Sequence, residues 1–192
     1  MTRMVLLGPP GAGKGTQAAR ICERLSIPAI STGDIFRANV SRGTELGERA
    51  RQYMDRGEYV PDSVTNAMVA DRLTEADAAR GFLLDGYPRT EAQVHELDAM
   101  LADSGLALDV VLEITADAEV VVDRLLKRAT EQNRADDTES VIRRRLEVYA
   151  EATEPLAALY EGRGLLVRVD GTGDVDEVTE RIMTALASRA TA

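Results

Sequence analysis

The sequence predicts an α/β fold, three layers deep, with helices on both faces of a five-stranded parallel sheet. Three observations carry that expectation. Short apolar runs alternate with longer helical patterns along the chain, as buried strands do when helical crossovers join them in parallel. A glycine-rich turn stands between the first apolar run and the first helical pattern. Finally, 44% of the 192 residues are apolar, enough for a substantial core in one domain.

Taken in order, residues 4–7 read as the first strand. The helix after the glycine turn is expected over 14–25, with Ala18, Ile21, Cys22 and Leu25 on one face. Further strands are expected at 28–30, 82–84, 110–114 and 165–169, the run at 110–114 being apolar except for Glu113. Helical patterns fill 91–102, 118–128, 138–160 and 174–187. Two stretches depart from the alternation. Residues 31–76 hold several helical segments with no strand between them and read as a helical insertion. Residues 127–137 are polar and charged between helices, either a solvated connector or a lid.

The charge balance bounds the partners. With 23 Lys plus Arg and 33 Asp plus Glu the net charge is −10, which argues against a duplex nucleic acid, bound mainly through Lys and Arg, and against an anionic membrane surface. One cysteine, Cys22, permits no intrachain disulfide, and with one histidine, His95, no zinc cluster of Cys and His is possible. No apolar run approaches the roughly 18 residues of a spanning helix, and residues 1–4 lack a signal-peptide layout. A cytoplasmic monomer is expected.

The glycine turn carries the chemistry. In Gly8-Pro9-Pro10-Gly11-Ala12-Gly13-Lys14-Gly15-Thr16, glycines let successive N–H groups converge on one anion. The following helix adds its N-terminal donors and dipole, and Lys14 adds a full charge. The hydroxyl comes at Thr16, one residue later than in most phosphate loops, because Gly15 follows Lys14. That shift, and the absence of an Asn-Lys-x-Asp guanine motif, disfavour a GTPase. It suits nucleoside monophosphate kinases.

GPPGAGKGTQA at 8–18 resembles the phosphate loop of adenylate kinases, and three more motifs follow in that family's order: STGDIFR at 31–37, LDGYPRT at 84–90, and NRADD at 133–137 with RRRL at 143–146. The resemblance implies a P-loop three-layer αβα domain over 1–192. Its core would be 1–30, 61–126 and 138–192, with a monophosphate-binding insertion at 31–60 and a lid at 127–137. Only five residues separate Arg128 from Arg134, so the lid is of the short kind, with no room for the longer, sometimes zinc-bearing form. The implied reaction is Mg-ATP plus AMP giving two ADP.

Residue by residue, the resemblance implies that Gly11, Ala12, Gly13, Lys14, Gly15 and Thr16 bind the ATP phosphates, that Arg124 and Arg128 face them from the lid side, and that the Gly173 backbone meets the ATP adenine. Thr32 and Arg37 would hold AMP, Arg37 by its phosphate. Glu58, Tyr59 and Val60 would line the base pocket mainly through backbone. Gly86, Tyr87, Pro88 and Arg89 would also contact AMP, with Gln93 on the adenine edge. Arg134 and Arg145 would reach the transferring group, and Asp85 would hold Mg2+ through water. Lys14, Arg89, Arg128, Arg134 and Arg145 make up the expected catalytic set.

The residues by themselves suit that chemistry. Two unit charges about 4 Å apart repel by roughly 4 kcal/mol at an effective dielectric near 20, so two polyanions meet only where cations converge. The window 124–145 holds seven Lys or Arg and four acids, a local +3 in a −10 chain. Arg143 and Arg144 read as a solvated face. The acceptor is a phosphate oxygen, largely ionised at neutral pH, so no general base is required. Asp34 is expected to orient the loop or cap a helix, His95 to be a bystander and Cys22 to be core. Tyr87-Pro88 is a candidate cis bond. A UMP/CMP kinase is the nearest alternative, but an alanine is usual there at the position of Thr32, and Thr32 with Gln93 favours adenine. A non-catalytic nucleotide-binding regulator would have no use for a cationic cage around two phosphates.

Overall fold

The computed structural model describes residues 2–132 and 138–190. Strands β1 (Arg3–Leu7), β2 (Ala29–Ser31), β3 (Phe82–Asp85), β4 (Val110–Thr115) and β5 (Leu166–Asp170) form one parallel sheet in the order β2-β3-β1-β4-β5. Val5 lies opposite both Leu84 and Val111, which makes β1 the central strand.

Successive side chains of a strand point to opposite faces, and β1 separates the two cores by this alternation. Met4 and Leu6 join Ala18, Ile21 and Cys22 of α1 (Lys14–Leu25) and Val178 and Ile182 of α9 (Val175–Ala190). Val5 and Leu7 face the other layer. It contains Val69 of α4 (Asp62–Leu73), Val94, Leu97 and Leu101 of α5 (Glu91–Ala102), and Leu156 and Tyr160 of α8 (Pro155–Gly162).

The insertion is helical, as its sequence predicts. α2 (Thr32–Arg42) and α3 (Glu45–Met54) enclose a small cluster of their own around Phe36, Ala50 and Val60, whereas α4 returns to the main core. Ser31 caps α2 by accepting from Asp34 N, so the cap is Ser31 rather than Asp34, which instead pairs with Arg37 at 2.6 Å.

Two expected elements differ. α6 (Ala118–Gln132) runs on past residue 128, so the first part of the expected 127–137 loop is helix; residues 133–137 lie outside the described residues. The pattern at 138–160 is not one helix. α7 (Glu139–Val148) passes into a π turn (Tyr149–Thr153) before α8 begins. Pro155 explains the break: it has no N–H to continue the ladder, and it stands at the first turn of α8, where none is needed.

Candidate active site

Strand order reverses about β1, and the loops after β1, β3, β4 and β5 gather at the carboxyl edge of the sheet, the usual binding crevice of such folds. The glycine loop fills its centre. Gly13 caps α1 with φ 92°, and the first turn of α1 contains no acid, so the positive end of its dipole faces the loop. No atom lies within 4 Å of where a Cβ on Gly13 or Gly15 would stand, which leaves room for a phosphate against the backbone. Lys14 Nζ arches over the loop and donates to Gly8 O at 2.7 Å and Pro9 O at 2.9 Å. Arg124 donates to Ala12 O at 3.5 Å and Gly171 O at 3.2 Å, tying the glycine loop to the loop after β5. Arg181 donates to Asp170 O and Thr172 O in that second loop, beside Gly173.

The acceptor side is built from side chains. Gly86 has φ 83°, and a Cβ there would meet Thr32 Oγ1 at 2.7 Å and Arg89 Nη2 at 2.8 Å; glycine is what allows both to crowd the turn. Thr32 Oγ1 and Arg89 Nε each donate to Gly86 O, at 2.9 and 2.7 Å. Tyr87-Pro88 is cis. Gln93, buried, accepts from Arg89 N at 2.7 Å and donates to Asp62 Oδ1 at 2.7 Å, and Thr90 Oγ1 donates to Asp62 Oδ2 at 3.2 Å. One N–H and one lone pair of the Gln93 amide remain for a ligand. The Arg89 guanidinium lies 4.8 Å from the centroid of the Tyr59 ring.

Two adjoining cavities result. The first is lined by Thr32, Phe36, Met54, Glu58, Tyr59, Val60, Pro88, Gln93, Tyr149 and Thr153, the second by Gly11 to Gln17, Asp85, Arg124, Lys127, Gly171 and Gly173. Lys14, Arg37, Arg89 and Arg145 line both. Four cations therefore stand at the junction between two concave sites.

Most of the expected site residues thus come together. Arg128, as a side chain, and Arg134 altogether lie outside the described residues. Arg143 and Arg144 are exposed and pair with Glu139 and Glu147, and His95 is exposed beside Glu91. Cys22 is core, and burial pushes its thiol up to about 11.

Sequence reasoning missed Asp62, Thr153, Tyr149 and the apolar floor of Phe36 and Met54. Tyr149 is covered enough that burial raises its phenol pKa, with the Glu113 and Glu154 carboxylates adding to the shift. Asp62 reads in sequence as an ordinary first-turn acid, and nothing local marks its bond to Gln93. Thr153 had one signal, Pro155, which forbids a regular helix there.

A family model for adenylate kinases matches residues 6–165. An adenylate kinase of Kocuria rhizophila is 66% identical over 186 residues, covering 97% of this chain and 99% of the relative. One from Thermobifida fusca is 63% identical over 188 residues (98% and 100%), and one from Pseudarthrobacter chlorophenolicus 62% over 186 residues (97% of each).

Proposed function

The chain belongs to the adenylate kinase family, and from that premise we propose how its own residues divide the reaction between them. The enzyme transfers the terminal phosphoryl group of ATP to AMP, reversibly, giving two ADP, and so keeps the adenine nucleotides in balance. The single observation that carries the division of labour is the junction of four cations shared by two cavities. A binding protein for one nucleotide has no need of it.

The second cavity is the ATP side. Gly11 to Thr16 cradle the phosphates with backbone donors, Lys14 swings from its own loop carbonyls to the terminal phosphates, Arg124 and Arg128 add charge, and the backbone near Gly173 meets the adenine. The first cavity is the AMP side. Arg37 takes the phosphate, Thr32, Glu58, Tyr59, Val60 and Gly86 to Pro88 shape the pocket, and Gln93 reads the adenine edge with its remaining amide capacity. Arg89, Arg134 and Arg145 converge on the group in flight. Guanidinium suits this because it grips phosphate through two parallel hydrogen bonds and never loses its charge.

As the AMP phosphate oxygen attacks the terminal phosphorus, the bond from that phosphorus to the bridging oxygen of ADP breaks, and no proton need move. Asp34 is engaged by Arg37 and Asp85 lines only the ATP cavity, so neither is assigned as a base. Catalysis is positioning, charge stabilisation and exclusion of water. Residues 127–137 are the proposed lid over ATP and 31–60 the segment closing over AMP; in support, α6 bears Arg124 and Lys127 on the cavity wall and leads into that lid.

Enzymes of this family work on Mg-ATP. Among the described residues no group of three or more His, Cys, Asp or Glu could hold a metal. Asp85 is a hard oxygen donor lining the ATP cavity, which fits Mg2+, an ion that travels on phosphate oxygens and keeps its waters rather than needing a protein cage. Asp85 would hold it through water, and it would neutralise charge on the transferring oxygens. No described helix is long and apolar enough to cross a membrane. We read the protein as a cytoplasmic monomer without nucleic-acid partners or zinc.

The test is phosphate-acceptor preference across AMP, CMP, UMP and GMP in a coupled assay. AMP is expected to lead by kcat/KM. A lead for CMP or UMP would overturn the reading of Thr32 and Gln93.

A further inference from the structure

We propose that Thr153 is a positioning residue for phosphoryl transfer, acting through Arg89 together with Tyr59. The inference rests on the reading that Arg89 grips the transferring phosphoryl group. Arg89 is fixed at several points. Its N–H donates to Gln93 Oε1 at 2.7 Å and its Nε to Gly86 O at 2.7 Å, partners close in sequence, one in the first turn of α5 and one in the loop after β3. Its carbonyl accepts from Thr153 Oγ1 at 2.8 Å, and its guanidinium lies over the Tyr59 ring. Of these four contacts of Arg89, the last two reach distant chain, 64 residues away at Thr153 and on the AMP-side insertion at Tyr59.

The hydrogen-bond direction is fixed by chemistry. A carbonyl only accepts, so the Thr153 hydroxyl proton points at Arg89 O. Thr153 Oγ1 is then the acceptor for the Tyr59 hydroxyl 2.7 Å away. The chain of bonds runs from Tyr59 O–H to Thr153 O–H to the Arg89 carbonyl, and the Tyr59 ring closes it on the guanidinium of the same arginine. Rotation of Tyr59 would break both contacts at once.

Thr153 reaches this place because of the π turn. Glu154 N bonds to Tyr149 O, five residues back, at 2.9 Å. The wider turn admits an extra residue and shifts everything after it by about 100° around the helix. Thr153 is 4% exposed, and a regular helix through the same residues would carry its hydroxyl elsewhere.

Thr153→Val keeps the branched shape and removes the hydroxyl. Its kcat is expected to fall roughly 10- to 100-fold, the scale on which small displacements of a positioned group act, with KM for ATP unchanged. Thr153→Ser restores most of kcat. The decisive measurement repeats Thr153→Val in an Arg89→Ala background, where it is expected to change the residual kcat by less than about twofold, since coupled residues are not additive. Tyr59→Phe, which keeps the ring, is expected to lower kcat by a few-fold at most and to add nothing to Thr153→Val; it and Thr153→Ser carry the test if the valine variant does not fold. The inference is overturned by a Thr153→Val enzyme of wild-type kcat, by the same loss in both backgrounds, or by a folded serine variant no better than valine. If Arg89→Ala alone is fully active, the reading of Arg89 fails, and a slow Thr153→Val enzyme would then show that Thr153 acts by another route.

Discussion

On the ATP side, much of what faces the cavity is main chain: a glycine loop, the first turn of α1, and the loop after β5, held to one another by Arg124 bonding to carbonyls. On the AMP side the same work is done by side chains bonded to side chains, with Gln93 on Asp62, Asp62 on Thr90, Thr32 and Arg89 on one carbonyl, and Tyr59 on Thr153. The two sides lean on opposite faces of the sheet, Ala12 packing in the layer of α1 and α9 and Tyr87 in that of α5 and α8. A site of main-chain donors tolerates many side-chain changes but no crowding of its glycines. A side-chain network fails through its shared members.

The largest effect is expected where the network meets the junction. Arg89→Ala should cost about 2–5 kcal/mol of transition-state stabilisation, a factor of ten for every 1.4 kcal/mol, while the denaturant midpoint moves little. Steady-state kinetics beside urea unfolding separate the two. Near-normal kcat/KM would remove the AMP side of the comparison, because the cation through which its network meets the junction would be dispensable.

Gly11→Ala probes the other side. Gly11 has φ 85°, and a Cβ there would stand 2.7 Å from Val121 O and 2.9 Å from Leu125 Cγ of α6. Strain of that kind costs about 1–3 kcal/mol. The expected signature is a lower unfolding midpoint with KM rising for ATP more than for AMP. An equal rise for both nucleotides would show that the two sides are not built independently.

The same contrast explains what the sequence disclosed. Each expected strand core agrees with the observed strand to within about one residue at its ends, because apolar runs and the glycine loop are local signals. The glycine loop at the start of α1 was legible with them. The bond between Gln93 and Asp62 spans 31 residues and that between Tyr59 and Thr153 spans 94. Neither periodicity nor propensity encodes such pairs, since each partner reads locally as an ordinary helix or turn residue. Resemblance supplied Thr32, Arg89 and Gln93 as expected ligand contacts but not the groups that hold them. The π turn was missed because apolar spacing continues across it while Pro155 interrupts only the hydrogen bonds.

The smallest effect tests whether polar satisfaction extends into the AMP-side layer. Tyr160 is fully buried there, and among the described residues its hydroxyl has no hydrogen-bond partner. Burial raises its phenol pKa, Asp98 adding to the shift and Arg163 opposing it. Removing an unsatisfied buried hydroxyl is neutral or stabilising by up to about 1 kcal/mol, so Tyr160→Phe is expected to unfold at an equal or higher urea midpoint at pH 7. The sign at alkaline pH follows from linkage. The folded pKa lies above the unfolded value of 10.0, so Tyr160's contribution is fully present below pH 10 and is lost as the pH rises beyond it, where unfolded chains release a proton that folded ones keep. Phenylalanine carries no such slope, and Tyr87 and Tyr149, also raised by burial, act equally in both proteins. The advantage of the variant should therefore widen between pH 9 and pH 11, by no more than about 1.4 kcal/mol per pH unit for one proton. A variant less stable than the parent at pH 7 would mean that the hydroxyl is held by a buried water, and that the polar network of the AMP side reaches deeper into the core than its direct hydrogen bonds indicate.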